Sequence, residues 1–272
     1  MLEVRRALLD VLAALGDHRK SVVLVGAQAI YLHTLGFRSP VAEFTKDADL
    51  AIKIDGLAKD PSIEFALTEA GFSLTESRNP GQWLSSDGIP VDIMVPETIV
   101  GKKSRKVDLP GHGDRTARST SGIEGCLVDC ELQLIETSDN SDSRSFKILV
   151  AAPASLLIAK AFKISERLNG GRRIEDKDAH DVYRLFSAVS LDALVDGFEK
   201  LVSDPLSENV TKSGFYYLQE LFADGPKAPG SMRAGRAEAP FGSAETVAQS
   251  VSILSDDLLR KLLERRIWKR SR

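Results

Sequence analysis

Three aspartates and one glycine turn are the residues of this chain best suited to do chemistry. Asp47 and Asp49 flank Ala48 in Asp47-Ala48-Asp49-Leu50-Ala51-Ile52-Lys53-Ile54, a segment that alternates with period two. On a strand this spacing sends both carboxylates out of one face and turns Ala48, Leu50, Ile52 and Ile54 inward. Two carboxylates side by side repel, and one is driven toward neutrality unless a cation lies between them. A hard divalent ion with oxygen ligands removes the conflict. Mg²⁺ (or Mn²⁺), which keeps waters and favours substrate phosphates, suits that role. Asp92, between Val91 and Ile93 on a second expected strand, offers a third carboxylate. Three such groups can hold two metals, one at the attacking oxygen and one at the phosphates.

The turn after Val25 fits the same chemistry. A strand, a small-residue turn and a helix start present free backbone N–H groups and a positive dipole end to phosphate. Gly26 lets the chain turn, and Ala27 keeps the surface low. Further on, Lys160 lies on an expected helix with Lys163 and Arg167 one and two turns along the same face. A lysine there can meet a triphosphate as a point charge. Asp178 and Asp181, in Lys177-Asp178-Ala179-His180-Asp181, can orient that lysine or an arginine.

These residues need elements to hold them. Ser21–Val25 reads as a buried strand, 27–35 as a helix and 47–54 as a half-buried strand. Asp60 with Pro61 starts a helix that ends at Gly71. Phe72–Leu74, Gln82–Ser85, Ile89–Val95, Cys130–Ile135 and Ser145–Val150 read as strands, with 101–122 a polar, basic loop. From Pro153 the period changes to that of helices: one long helix ended by Gly170 and Gly171, then Asp176–Ala188, Leu191–Leu201, Lys212–Phe222 and Ala244–Trp268. The expected organisation is a mixed α/β domain over residues 1–150. An α-helical domain over 151–272 follows, with a flexible Gly-, Pro-, Ala- and Arg-rich loop at about 223–243.

The chain has 272 residues, 43% hydrophobic and 28% charged, which fits an ordinary globular protein and excludes wholesale disorder. Two cysteines build no disulfide framework and point to a reducing compartment. The sequence carries no secretory pattern and no run of about eighteen apolar residues, so a cytoplasmic protein is expected. The net charge of −3 conceals two basic stretches. Six cations stand against two acids in 101–122, and seven against one in 260–272. Such stretches suit a polyanionic partner. Cys126, Cys130 and His112 have irregular spacing for zinc and read as structural residues. His180 reads as packed, and Trp83, Trp268, Tyr216 and Tyr217 as core or interface aromatics.

Val25-Gly26-Ala27-Gln28-Ala29, Thr45-Lys46-Asp47-Ala48-Asp49-Leu50 and Val91-Asp92-Ile93 together resemble the motifs of the DNA-polymerase-β-type nucleotidyltransferase superfamily. Ala151–Leu185, with Lys160, Arg167 and Lys177-Asp178-x-x-Asp181, is similar to the helical part of its AbiEii and MenT toxin-like branch. Gly26-Ala27 departs from the Gly-Gly or Gly-Ser usual there, and the stretch from that turn to Asp47 is longer. The resemblance implies an α+β fold, a mixed nucleotidyltransferase-type sheet with flanking helices followed by a helical C-terminal domain. It implies transfer of a nucleoside monophosphate from an NTP to an acceptor with release of pyrophosphate. Asp47, Asp49 and Asp92 would hold Mg²⁺ or Mn²⁺ and, with Lys160, form the catalytic set. Gly26, Ala27, Gln28, Lys46 and Asp178 would serve the nucleotide. The implied acceptor is RNA, the 3′ end of tRNA, met through basic segments 102–118 and 260–272. A toxin role with a cognate antitoxin is implied as well. The departure at Gly26-Ala27 motivates the alternative, a noncatalytic nucleotide- or partner-binding module on the same fold.

Overall fold

The structure, a computed structural model, describes residues 2–75, 79–101, 105–137, 139, 141–170 and 175–269. The chain forms two compact units, Met1–Ala29 with Glu43–Ala151, and Ile30–Ala42 with Ala152–Arg272. Ile30–Ala42 belongs with the helical unit.

The first unit starts with α1 (Leu2–Ala14), β1 (Val22–Val25), the first turn of α2 (Gly26–His33, which from Ile30 belongs to the second unit), β2 (Ala48–Ile52) and α3 (Ile63–Glu69). Next come β3 (Ser73–Leu74), β4 (Gln82–Leu84), β5 (Pro90–Pro96), α4 (Glu97–Val100), β6 (Lys106–Leu109) and β7 (Gly113–Thr120). It ends with α5 (Glu124–Val128), β8 (Cys130–Glu136) and β9 (Ser145–Ala151). The strands build one mixed sheet in the order β3-β4-β5-β2-β1-β9-β8, with β7 added to β5 and β6 to β7. β1 and β2 run antiparallel, while β1–β9, β2–β5 and β5–β7 are parallel. All four residues of β1 are buried, as befits a central strand covered on both faces. α1 lays Val4, Ala7, Leu8, Leu9, Val11 and Leu12 into the core. α3 is capped by Ser62, whose hydroxyl accepts from Phe65 N–H, rather than by Asp60.

One junction in this sheet determines where the site can form. β4 pairs with the first half of β5, and β7 takes over the same edge for the second half. Gly81 sits at the handover: its N–H donates to Arg115 O at 2.8 Å, and its carbonyl accepts from Ile93 N–H at 2.7 Å. Its φ is +76°, and a Cβ would lie 2.5 Å from both Arg118 N and Ile93 O. Only glycine satisfies both conditions. Trp83 fills the space beneath and donates its indole N–H to Thr116 O at 3.1 Å.

The stretch 101–122, expected as a loop, holds β6 and β7 instead. Val107 and Leu109 alternate with exposed Lys106 and Asp108, a short period-two pattern hidden among basic residues. Lys102 and Lys103 lie outside the described residues.

The second unit contains α6 (Pro153–Asn169), α7 (Asp176–Ala188), α8 (Leu191–Ser203), α9 (Glu208–Leu218), α10 (Pro229–Glu238) and α11 (Ala244–Glu264). Gly170 closes α6 as expected, while Gly171 lies outside the described residues. About half of the expected flexible loop at 223–243 is helix α10. Its small residues Gly230, Ser231, Ala234 and Gly235 are buried, so their composition reflects close packing rather than mobility. Trp268 is buried beside Phe215 and Tyr216. Among the described residues no helix is long and apolar enough to cross a membrane.

The handover predicts that Gly81→Ala lowers stability by more than about 1 kcal/mol, since strain at positive φ adds to a backbone clash. Urea denaturation measures this, and an unchanged midpoint would contradict the role given to Gly81.

Candidate active site

The register of three strands assembles the acidic group. β2 and β5 run parallel with Asp49 directly beside Asp92. β1 runs antiparallel to β2 with Val25 beside Asp49, so the turn at Gly26 comes down onto that aspartate. Asp47 lies one residue before β2. One carboxylate oxygen from each of Asp47, Asp49 and Asp92 lies within 4.8 Å of the other two. Among the described residues this is the one group of three or more acidic, His or Cys side chains able to share a metal. The donor set is all carboxylate oxygen, the chemistry a hard divalent ion prefers. Cys126, Cys130 and His112 form no such group; neither cysteine is in a disulfide, and His112 stacks edge-on against His18 at 5.2 Å.

Each carboxylate has neighbours that fix it. Thr45 Oγ1 donates to Asp47 Oδ1 at 2.7 Å. Gln82 Nε2 donates to Asp92 Oδ1 at 3.2 Å, and Arg118 Nη2 to Asp92 Oδ2 at 2.7 Å. Gln82 sits across from Asp92 on β4. Arg118 pairs with Met94 on β7, one pleat along β5, and so reaches the same face. The Asp92 side chain is only 9% exposed and that of Arg118 is 22% exposed. The Nε of Arg118 is buried without a hydrogen-bond partner among the described residues. Arg118 therefore sets a positive charge against one of three crowded carboxylates. The sequence reading assigned Arg118 to a basic loop for nucleic acid and passed over Gln82. The signal that could have found them is the alternation around Val107, because it turns that loop into a hairpin beside β5.

Gly26 brings the start of α2 against Asp49. With φ at +70°, a Cβ here would lie 2.0 Å from Asp49 Oδ2, so the start of α2 reaches the carboxylate only because the side chain is missing. Ala27 is buried. Gln28 is 1% exposed, and neither of its amide atoms has a partner among the described residues. Lys46 is exposed beside Asp47.

Lys160 and Asp178 belong to the second unit and form a cluster of their own. Lys160 Nζ lies 2.7 Å from Asp178 Oδ1 and 2.7 Å from Asp181 Oδ2, all three side chains buried. Lys163 and Arg167 also reach Asp178, at 3.0 and 3.1 Å. The expectation that Asp178 and Asp181 orient this lysine matches the geometry. Its ammonium is no open point charge, however: two carboxylates already hold it. Burial alone would lower the Lys160 pKa, but the charges of Asp178 and Asp181 outweigh it and raise the pKa above its ordinary value. Burial likewise acts to raise that of Asp178, and the Lys160 and Lys163 charges hold it well below the carboxylate range. His180 is buried in the same unit, 2.8 Å from Glu238 Oε2, as a packed residue.

The basic segments are partly neutralised. Lys106 pairs with Asp114, and Arg115 donates to Thr75 O at 3.0 Å. Arg260 pairs with Asp256 and Asp257, Lys261 with Glu264, and Arg265 with Asp196. Arg270 and Arg272 lie outside the described residues.

Two expectations follow. If Arg118 occupies Asp92 in place of a cation, Arg118→Met strengthens Mn²⁺ binding several-fold in calorimetric titration, and unchanged or weaker binding would contradict it. In the second unit, Asp178→Asn removes a buried charge-paired group and costs about 3–5 kcal/mol at neutral pH. The depressed Asp178 pKa gives stability that is present above the unfolded-state value of about 4 and lost below it. The raised Lys160 pKa gives stability lost only on the alkaline side. The gap between wild type and variant should therefore be full at pH 7 and shrink as pH falls below about 4. Equal stability at pH 7 would show that the cluster contributes nothing.

No family model matches this chain, and no curated protein matches it. A solved structure, a candidate nucleotidyltransferase from H. pylori, is similar to it at 15% identity over 96% of this chain and 94% of that one, with a TM-score of 0.39. At this level of similarity the functional reading rests on the side-chain geometry.

Proposed function

We propose that the protein is a divalent-metal-dependent nucleotidyltransferase. The observation that carries this reading is the convergence of Asp47, Asp49 and Asp92 within 4.8 Å, against a helix start that only glycine can bring so close. Asp47, Asp49 and Asp92 would hold the metal. When bound, a divalent ion supplies charge for the triphosphate and a more acidic acceptor hydroxyl.

The chain's own groups supply the rest. The start of α2 lies against Asp49, and its first N–H groups, at the positive end of the helix dipole, would suit the triphosphate oxygens. The acceptor oxygen forms a bond to the α-phosphorus as the bond to pyrophosphate breaks. Asp92, beside Asp49 on the neighbouring strand, takes the hydroxyl proton. Gln82 and Thr45 hold two of the carboxylates in place throughout, so the charges are positioned before substrate arrives. The acceptor proposed is RNA, such as the 3′ end of tRNA, met through the basic segments 102–118 and 260–272. A toxin role in a toxin–antitoxin pair is the corresponding reading in the cell.

A noncatalytic nucleotide-binding module is the second reading. The Arg118–Asp92 ion pair favours it, because a permanent pair would leave only two carboxylates for metal. Incubation with α-labelled NTPs, Mg²⁺ and total RNA separates the two. Label transfer that falls by about two orders of magnitude in Asp49→Asn, the scale of losing one preorganised electrostatic group, is the expected outcome. Thermal stabilisation by Mg²⁺-NTP without transfer would favour the binding module.

A further inference from the structure

The sheet ends on β8, which pairs only with β9 among the described strands. Proteins normally blunt such an edge with charge, proline or a covering element. Here Leu132 is 68% exposed and Leu134 49% exposed, on the same face of the edge strand, while Ile135 on the opposite face is fully buried. Leu149 on β9 extends the apolar stripe next to Leu132. Lys53 points its ammonium at Cys130, with Nζ 3.6 Å from Sγ. Among the described residues that thiol is the only partner of the Lys53 ammonium, and sulfur is a weak acceptor for a cation.

We propose that β8 pairs with β8 of a second copy of this chain, joining two sheets across a two-fold axis. Antiparallel pairing must keep inward residues opposite inward ones, so only registers centred on a residue are allowed. β8 spans Cys130–Glu136, and centring on Gln133 overlaps its whole length. In that register Leu132 faces Leu134 of the partner subunit, and Leu134 faces the partner subunit's Leu132. Four leucines then cover one another. Cys130 faces the partner subunit's Glu136, which brings a carboxylate to the Lys53 ammonium on each side. Glu131 faces Ile135 of the partner subunit, so no two like charges meet. Shifting the centre to Leu132 or Leu134 leaves one leucine pair on the axis where the Gln133 register makes two, and it moves the carboxylate away from Lys53. The second copy is thus complementary in main-chain hydrogen bonds, apolar surface and charge, the pattern of an isologous interface formed by strand addition.

Light scattering on the full-length chain after gel filtration tests this. The expected mass is twice the 29.6 kDa of one chain. Leu132→Glu with Leu134→Glu opposes four like charges and should give monomers, with an unchanged circular dichroism spectrum because both side chains are exposed. Glu136→Lys alone should weaken the dimer at least tenfold, and adding Lys53→Glu should restore it. A monomeric wild type, or a dimer that survives the double glutamate variant, would overturn the proposal. A dimer unaffected by Glu136→Lys would overturn the register. Should the glutamate variant fail to fold, the charge exchange still decides, because it leaves the leucines untouched.

Discussion

Three carboxylates whose oxygens lie within 4.8 Å of one another set the terms for the first unit. Such a group is unfavourable unless positive charge or hydrogen-bond donors surround it. Every neighbour of the site serves that need. Thr45 donates to Asp47, and Gln82 and Arg118 donate to Asp92. The start of α2 closes over Asp49. With carboxylate oxygens as its only donors, the group suits a hard divalent cation best.

The sheet exists in this form because the register has to put Asp49 beside Asp92. Parallel β2 and β5 give that alignment, and antiparallel β1 delivers Gly26 to the same point. Gly81 lets β4 stop and β7 begin along one edge of β5, so that Gln82 and Arg118 approach Asp92 from two different strands. Neither donor is available without that handover. The second unit keeps its charges in a different way: Lys160 is held between Asp178 and Asp181, a pairing that satisfies burial without an outside ion.

Much of this was legible before any coordinates. Period two around Asp47 and Asp49 marked the strand that carries Asp49, although the strand begins one residue after Asp47, and the β-branched run before Gly26 marked the central strand. The adjacency of Asp92 was inferred from its own strand pattern and is what the register shows. Arg118 was not legible, because its partner is 26 residues away and the pairing depends on a hairpin whose alternation is only Val107 and Leu109 deep. The segment at 223–243 misled for another reason. Glycine and alanine serve flexibility in a loop and close approach in a helix contact, and composition alone does not separate the two.

The most direct test is crystallographic. Crystals grown with Mn²⁺ and a nonhydrolysable NTP should show anomalous density within about 2–2.2 Å of carboxylate oxygens from Asp47 and Asp49, close to the distances of hard-ion coordination. Arg118 should then have left Asp92, whose oxygen joins the ion. Density elsewhere, or Arg118 still bound to Asp92 with no ion beside it, would contradict a metal-dependent transferase.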